Sequence, residues 1–125
     1  TGVVEYVDAG HEPPFILRKD KGVEPVVKTT GMALGIDPSY NYKKQVLTLN
    51  PGDTLFMYTD GVTDANNTAG DRFGTHRAEE VLTPFVNAPL PQDINNSIRQ
   101  HLKDFIGENS QFDDITVLTI QYNGN

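Results

Sequence analysis

The sequence contains no cysteine, which excludes disulfide bonds, thiolate catalysis and cysteine-ligated zinc together. It also has no hydrophobic run long enough to cross a membrane and no secretory signal pattern at its start. The 125-residue chain begins at Thr1 rather than at a methionine, so we expect it to be a piece of a longer protein. These absences favour a cytoplasmic protein that has no membrane partner in this segment.

Basic residues are scarce, since 10 lysines and arginines stand against 17 aspartates and glutamates, for a net charge of −7. Because an acidic surface repels nucleic acids and anionic membranes at long range, neither is expected as a partner. A phosphorylated substrate would be repelled as well, unless a bound cation reversed the local field.

The hydrophobic pattern predicts one α+β domain. Strands are predicted at residues 3–8, 15–18, 26–29, 45–49, 54–59 and 115–122. Helices are predicted at 77–85 and from about 91 to Gly107, where glycine is suited to end a helix. The strand at 54–59 is a nearly continuous apolar run, so we expect it to be buried on both faces.

Acidic residues stand at the ends of two predicted strands. Asp60 directly follows the fifth strand, and Asp113 and Asp114 directly precede the last one. If these strands are antiparallel neighbours, the carboxylates lie at one edge of the sheet, and the loop at 9–11 is expected to share that edge. Clustered carboxylates repel one another unless a cation lies between them, and hard oxygen ligands favour magnesium or manganese over zinc.

Each of these patterns also has a simpler interpretation. Asp-Gly after a strand is commonly a turn, and Asp-Asp before a strand is commonly a solvated loop. Residues 64–71 faintly resemble a calcium-binding loop, but Ala69 occupies the position that requires glycine and Thr75 the position of the bidentate glutamate. We therefore expect that segment to be a surface loop.

Three stretches that occur in a fixed order resemble a known family: YVDAGHEPP at 6–14, GDTLFMYTDGVTDANN at 52–67 and DDITVLTI at 113–120. Together they resemble the bacterial SpoIIE/RsbU-like branch of the PPM (type 2C) metal-dependent serine/threonine protein phosphatases. The resemblance implies part of an α-β-β-α sandwich, in which antiparallel sheets are flanked by helices. It also implies that two manganese or magnesium ions activate a water molecule that attacks phosphorus without forming a phosphoenzyme.

The resemblance assigns roles to four acidic residues. Asp60 and Asp113 correspond to metal-binding aspartates of the family. Asp114 is a second candidate whose alternative is a role in the loop. Asp64 corresponds either to an accessory acid, which holds a water or a further ion, or to a plain surface aspartate.

Two other residues belong to the same motifs. Gly61 is expected to allow the turn that brings Asp60 to the metal. His11 lies in the Ala-Gly-His loop at the rim of the site. It is a candidate for proton transfer or substrate contact, and the alternative is that it shapes the loop through hydrogen bonds.

The chain departs from the family pattern at its front. A Gly-Asp-x-x-Gly-type motif, whose aspartate bridges the two metals in the family, has no match in residues 1–125. Residues 1–125 therefore correspond to the C-terminal half of a phosphatase domain, with the N-terminal part missing, and we expect this chain alone to be inactive. Sheet surfaces left uncovered predict that the fragment forms a homodimer.

Two functions remain open on these grounds. The first is a phosphatase that removes phosphate from phosphoserine or phosphothreonine on a bacterial regulatory protein, for which an anti-anti-sigma factor is one candidate. The alternative is a non-catalytic pseudophosphatase module that binds a signalling partner through the same rim. The presence of both Asp60 and Asp113 favours the enzyme, because a binding module has no need of them.

Overall fold

A computed structural model describes residues 1–27, 31–87, 90–109 and 114–124. The strands are β1 Val3–Val7, β2 Phe15–Arg18, β3 Gly22–Pro25, β4 Lys44–Thr48, β5 Thr54–Tyr58 and β6 Val117–Gln121. The helices are α1 Asp60–Thr63, α2 Gly74–Leu82 and α3 Pro91–Ile106, and a 3-10 turn at Thr83–Phe85 follows α2. None of the helices in the described ranges has the length and apolar character needed to span a membrane.

The strands form two antiparallel sheets. Four of them lie in the order β3-β2-β5-β6, and β1 pairs with β4 in a separate two-stranded sheet. In the larger sheet Thr54 lies opposite Gln121 and Tyr58 lies opposite Val117. The end of β5 and the start of β6 therefore lie at the same edge, which confirms the antiparallel arrangement expected from the sequence.

The larger sheet is covered by helices on one face. Phe56 and Tyr58 belong to a buried cluster with the helix residues Leu82, Ile98 and Leu102. Because side chains alternate along a strand, Leu55 lies on the opposite face. There it joins a second apolar cluster that includes residues of β1 and β4. Strand β5 is thus buried on both faces, as its apolar run predicted.

Helix α3 follows its sequence pattern closely. Ile94, Ile98 and Leu102 form its buried stripe. Pro91 occupies the first turn, where its missing N–H has no helical partner to lose. Gly107 caps the C-terminal end with a φ of 59°, a conformation that suits glycine.

Two predicted elements are displaced by three residues or more, whereas the bounds of the others differ by at most two. The third strand was expected at 26–29 but is Gly22–Pro25, because the turn after Arg18 needs only three residues, with Asp20 at a φ of 60°. Part of the expected range, residues 28–29, lies outside the described residues. The first long helix begins three residues earlier than expected and ends at Leu82, since Pro84 has no N–H with which to continue it.

A buried carboxylate fixes the start of β5. Asp53 accepts hydrogen bonds from the backbone N–H groups of Lys19 and Asn50 and from the Arg18 guanidinium, each at 2.9 Å. Arg18 also donates to the carbonyl of Thr48 in β4 at 2.7 Å, so the pair links the two sheets. Burial acts to raise the pKa of Asp53, but these hydrogen bonds outweigh it and hold the pKa below its ordinary value.

Candidate metal site

The candidate site lies where β5 runs into helix α1. The backbone N–H of Thr59 donates to the carbonyl of Thr116 at 3.0 Å, so strand pairing continues one residue past Tyr58. Asp60 comes next and is the first residue of α1. The structure therefore places Asp60 directly beyond the paired strands, where the chain leaves the sheet.

The hydroxyl group of Thr59 adds two contacts across this edge. It accepts a hydrogen bond from the N–H of Thr116 at 3.0 Å and donates one to the carbonyl of Asp114 at 3.2 Å. The residues before β6 are thus bound to the residue before Asp60 through both main chain and side chain. Sequence reasoning missed Thr59, because its partners lie more than fifty positions away in the chain.

Gly61 is required for a different reason from the one expected. It lies within a short helix rather than a turn, and its φ is outside the left-handed region. A Cβ atom at this position would overlap the carbonyl oxygen of Asp114 and lie 3.3 Å from Cγ1 of Ile115. The missing side chain gives Asp114 room to approach, so the importance of Gly61 is steric rather than conformational.

Asp60 and Asp114 are brought to one edge, and both are exposed. The carboxylate of Asp60 makes no hydrogen bond or ion pair with any residue that the structure describes, which leaves it open to a cation. Asp113, the other predicted ligand, lies outside the described residues. Across the described ranges, no three acidic or histidine side chains cluster closely enough to hold a metal ion. The exposed carboxylates fit a hard divalent cation, and the described residues supply only part of its coordination shell.

Asp64 lies one helical turn beyond Asp60, and its backbone N–H donates to the Asp60 carbonyl at 2.8 Å. Its carboxylate forms an ion pair with Arg72, with 3.2 Å between Oδ1 and Nη2, and both side chains are exposed. Exposed pairs of this kind contribute roughly 0.2–1 kcal/mol. Displacing Arg72 from Asp64 would therefore cost a metal ion little.

The loop that carries His11 is shaped by Asp8. The Asp8 carboxylate accepts hydrogen bonds from the N–H groups of Gly10 at 2.9 Å and His11 at 3.1 Å. The imidazole of His11 is exposed, and it lines a cavity of about 630 Å³ together with Thr59 and Thr116. His11 thus borders the same cavity as Thr59, the residue before Asp60. Asp8 was not predicted, although an aspartate two residues before a glycine is a known turn signal.

A buried phenol lies directly beside this edge. The hydroxyl of Tyr58 is buried and has no hydrogen-bond partner among the described residues. Burial, with a smaller contribution from the charge of Glu12, raises the pKa of Tyr58 to about 12. The phenol is therefore neutral at ordinary pH and belongs to the core rather than to the chemistry of the edge.

The fold corresponds to part of that of the PP2C phosphatase domains. It matches the structure of the PP2C phosphatase domain and regulatory fragment of SpoIIE from Bacillus subtilis with a TM-score of 0.76, at 18% identity, over 98% of this chain and 35% of that one. The sequence model of the family described as stage II sporulation protein E (SpoIIE) matches residues 1–123. The chain belongs to this family.

Two curated relatives support the assignment. Protein IcfG of Synechocystis is 39% identical over 122 residues, which cover 98% of this chain and 19% of that protein. Phosphoserine phosphatase RsbU of Bacillus subtilis is 34% identical over 65 residues, which cover 52% of this chain and 19% of that protein. The matched regions thus span about a fifth of the length of each relative.

Proposed function

We propose that this chain forms one side of the metal site of a protein serine/threonine phosphatase. The observation that carries the proposal is the β5–β6 pairing, which brings the open carboxylate of Asp60 to the edge where Asp114 precedes β6. The similarity to phosphoserine phosphatase RsbU of Bacillus subtilis agrees with this chemistry.

Each candidate residue has a definite task in this proposal. Asp60 and Asp113 would hold manganese or magnesium, with Asp114 as a further candidate and Asp64 available to orient water or an accessory ion. A bound divalent cation supplies positive charge that lowers the pKa of a water molecule and offsets the negative charge of the phosphoryl group. His11 lines the cavity that Thr59 also lines, and in this proposal it would contact the substrate or accept a proton.

The substrate class follows from the same chemistry. With a net charge of −7 the chain repels a phosphorylated protein at long range, so binding of the phosphate depends on the cation. We propose phosphoserine or phosphothreonine on a bacterial regulatory protein as the substrate, and an anti-anti-sigma factor as one candidate. Because the described carboxylates supply only part of a coordination shell, we expect the isolated chain to bind metal weakly and to lack activity.

The test measures Mn²⁺ binding by electron paramagnetic resonance, together with hydrolysis of p-nitrophenyl phosphate. Asp60→Asn should abolish Mn²⁺ binding, whereas Asp104→Asn, at an exposed aspartate of α3, should leave it unchanged. Equal binding by the Asp60→Asn variant would overturn the metal assignment. Metal-dependent hydrolysis by the isolated chain, lost in Asp60→Asn, would show that the chain completes a working site by itself and that the expected inactivity is wrong.

A further inference from the structure

Thr59 occupies the N-cap position of α1, yet its hydroxyl does not cap that helix. Threonine at an N-cap normally accepts a hydrogen bond from an N–H group of its own helix. Here the hydroxyl group instead binds two residues just before β6. It accepts a hydrogen bond from the N–H of Thr116 and donates one to the carbonyl of Asp114. The donor and the acceptor of this hydroxyl are therefore both used across the edge of the sheet.

These two contacts are separate from strand pairing. The main-chain bond from Thr59 to Thr116 already continues the β5–β6 ladder without help from a side chain. Valine has nearly the shape of threonine and an equal preference for extended backbone, so it would keep that ladder. What the hydroxyl adds is a direct link from the residue before Asp60 to the carbonyl of Asp114.

Gly61 acts on the same carbonyl from the other side of Asp60. A side chain at Gly61 would overlap the oxygen of Asp114, so glycine permits the approach that the Thr59 hydroxyl holds. Asp60 lies between these two neighbours, which fixes its backbone relative to the acidic segment before β6. Ligand positions in a metal site must be held to within about 0.5 Å, and such contacts are how that accuracy is achieved.

We propose that Thr59 is a positioning residue for the metal site: its hydroxyl sets the separation between Asp60 and Asp114. This inference rests on the proposed function, since it assumes that Asp60 binds the cation. The loss of a contact that orients a metal ligand typically lowers metal affinity about 10–100-fold.

The test compares three variants of the chain: Thr59→Val, Thr59→Ser and Thr119→Val. Thr119→Val is the matched control, because Thr119 lies on β6 and also loses a hydroxyl hydrogen bond, made at 2.6 Å to Asn95. Mn²⁺ affinity is measured by electron paramagnetic resonance, and thermal unfolding without metal reports stability. We expect Thr59→Val to lower Mn²⁺ affinity at least about tenfold, with Thr59→Ser and Thr119→Val close to the unmodified chain.

The outcomes separate this inference from the proposed function. Wild-type affinity in Thr59→Val, while Asp60→Asn abolishes binding, would overturn the role of Thr59 and leave the metal site standing. Thr59→Val and Thr119→Val could also lose equal Mn²⁺ affinity, in proportion to the stability that each loses. The effect of Thr59 would then come from folding alone, and the proposed positioning role would be overturned as well. Absence of Mn²⁺ binding by the unmodified chain would refute the metal site, and this inference with it.

Discussion

Tyr58 of β5 lies opposite Val117 of β6, and this single pair places two segments nearly sixty residues apart at one edge of a sheet. Thr59 and Thr116 extend the pairing by one residue, after which the chain turns into helix α1 at Asp60. The position of the open carboxylate is thus a consequence of strand register. A shift of the register by one residue would move it away from the segment that ends at Asp114.

The first prediction concerns Gly61→Ala. Alanine is favoured over glycine in a helix by about 1 kcal/mol, so helix propensity alone would make this variant more stable. Overlap of the new methyl group with the Asp114 carbonyl opposes that gain, and overpacking of this kind costs about 1–3 kcal/mol. We expect a net loss of stability in chemical denaturation and a loss of Mn²⁺ affinity.

Gly70→Ala is the control for this substitution. Gly70 has a φ of 86° and open space around it, so alanine there introduces backbone strain without a steric overlap near the site. It should lower stability without affecting Mn²⁺ binding. A Gly61→Ala variant that is more stable than the unmodified chain would refute the close approach of Asp114.

The elements that could be predicted were those with a strong local signal. The apolar run of β5 and the stripe of α3 each predicted a structure that was found. Asp60 could be assigned to a sheet edge because it directly follows such a strand. The hydroxyl of Thr59 escaped prediction because its partners are remote in sequence and leave no periodic pattern. The role of the Asp53 carboxylate escaped prediction because two of its three partners, Arg18 and Lys19, are equally remote. Strand β3 was misplaced because the length of a turn depends on backbone geometry that single residues do not reveal.

The second prediction concerns Asp53 and the dependence of stability on pH. The pKa of Asp53 in the folded chain lies below the ordinary value of 3.8. The ionised carboxylate therefore contributes its full stabilisation above pH 3.8, and this stabilisation is lost as the pH falls through the pKa of the folded chain. Asp53→Asn should lower the unfolding free energy at neutral pH by about 3 kcal/mol, because an amide cannot replace the charged acceptor. It should also flatten the decline of stability in acid, as measured by urea denaturation between neutral and acidic pH.

Asp37→Asn is the control for Asp53. The pKa of Asp37 is also lowered, by hydrogen bonds from Ser39, but the residue is exposed and lies in a local turn. Its substitution should leave stability nearly unchanged. An equal acid dependence in Asp53→Asn and the unmodified chain would show that Asp53 is not the group responsible.

The third prediction concerns the buried phenol of Tyr58. Since its hydroxyl lacks a partner within the described residues, Tyr58→Phe should raise the unfolding free energy at neutral pH by about 1 kcal/mol. Because burial raises its pKa from 10.0 to about 12, the stability linked to the neutral phenol is complete below pH 10 and is lost as the pH rises toward 12.

Thermal unfolding at neutral and alkaline pH measures both effects. Tyr58→Phe should raise stability at neutral pH and remove part of the alkaline decline, whereas Tyr6→Phe, at a half-buried tyrosine of β1, should not raise stability at neutral pH. A Tyr58→Phe variant that is less stable than the unmodified chain would mean that the hydroxyl has a partner, and the burial argument would fail.

The last prediction is that the isolated chain self-associates through the apolar face of β6. Leu118 and Ile120 remain 54% and 45% exposed, and both line the cavity that His11 borders. Apolar surface of this kind favours burial against a second copy, so light scattering should report a dimer at high concentration. Leu118→Lys should yield a monomer, because a charge buried in the interface would have to be desolvated. Leu90→Lys, at a residue 57% exposed but outside that lining, should remain a dimer, and a monomeric unmodified chain would contradict the prediction.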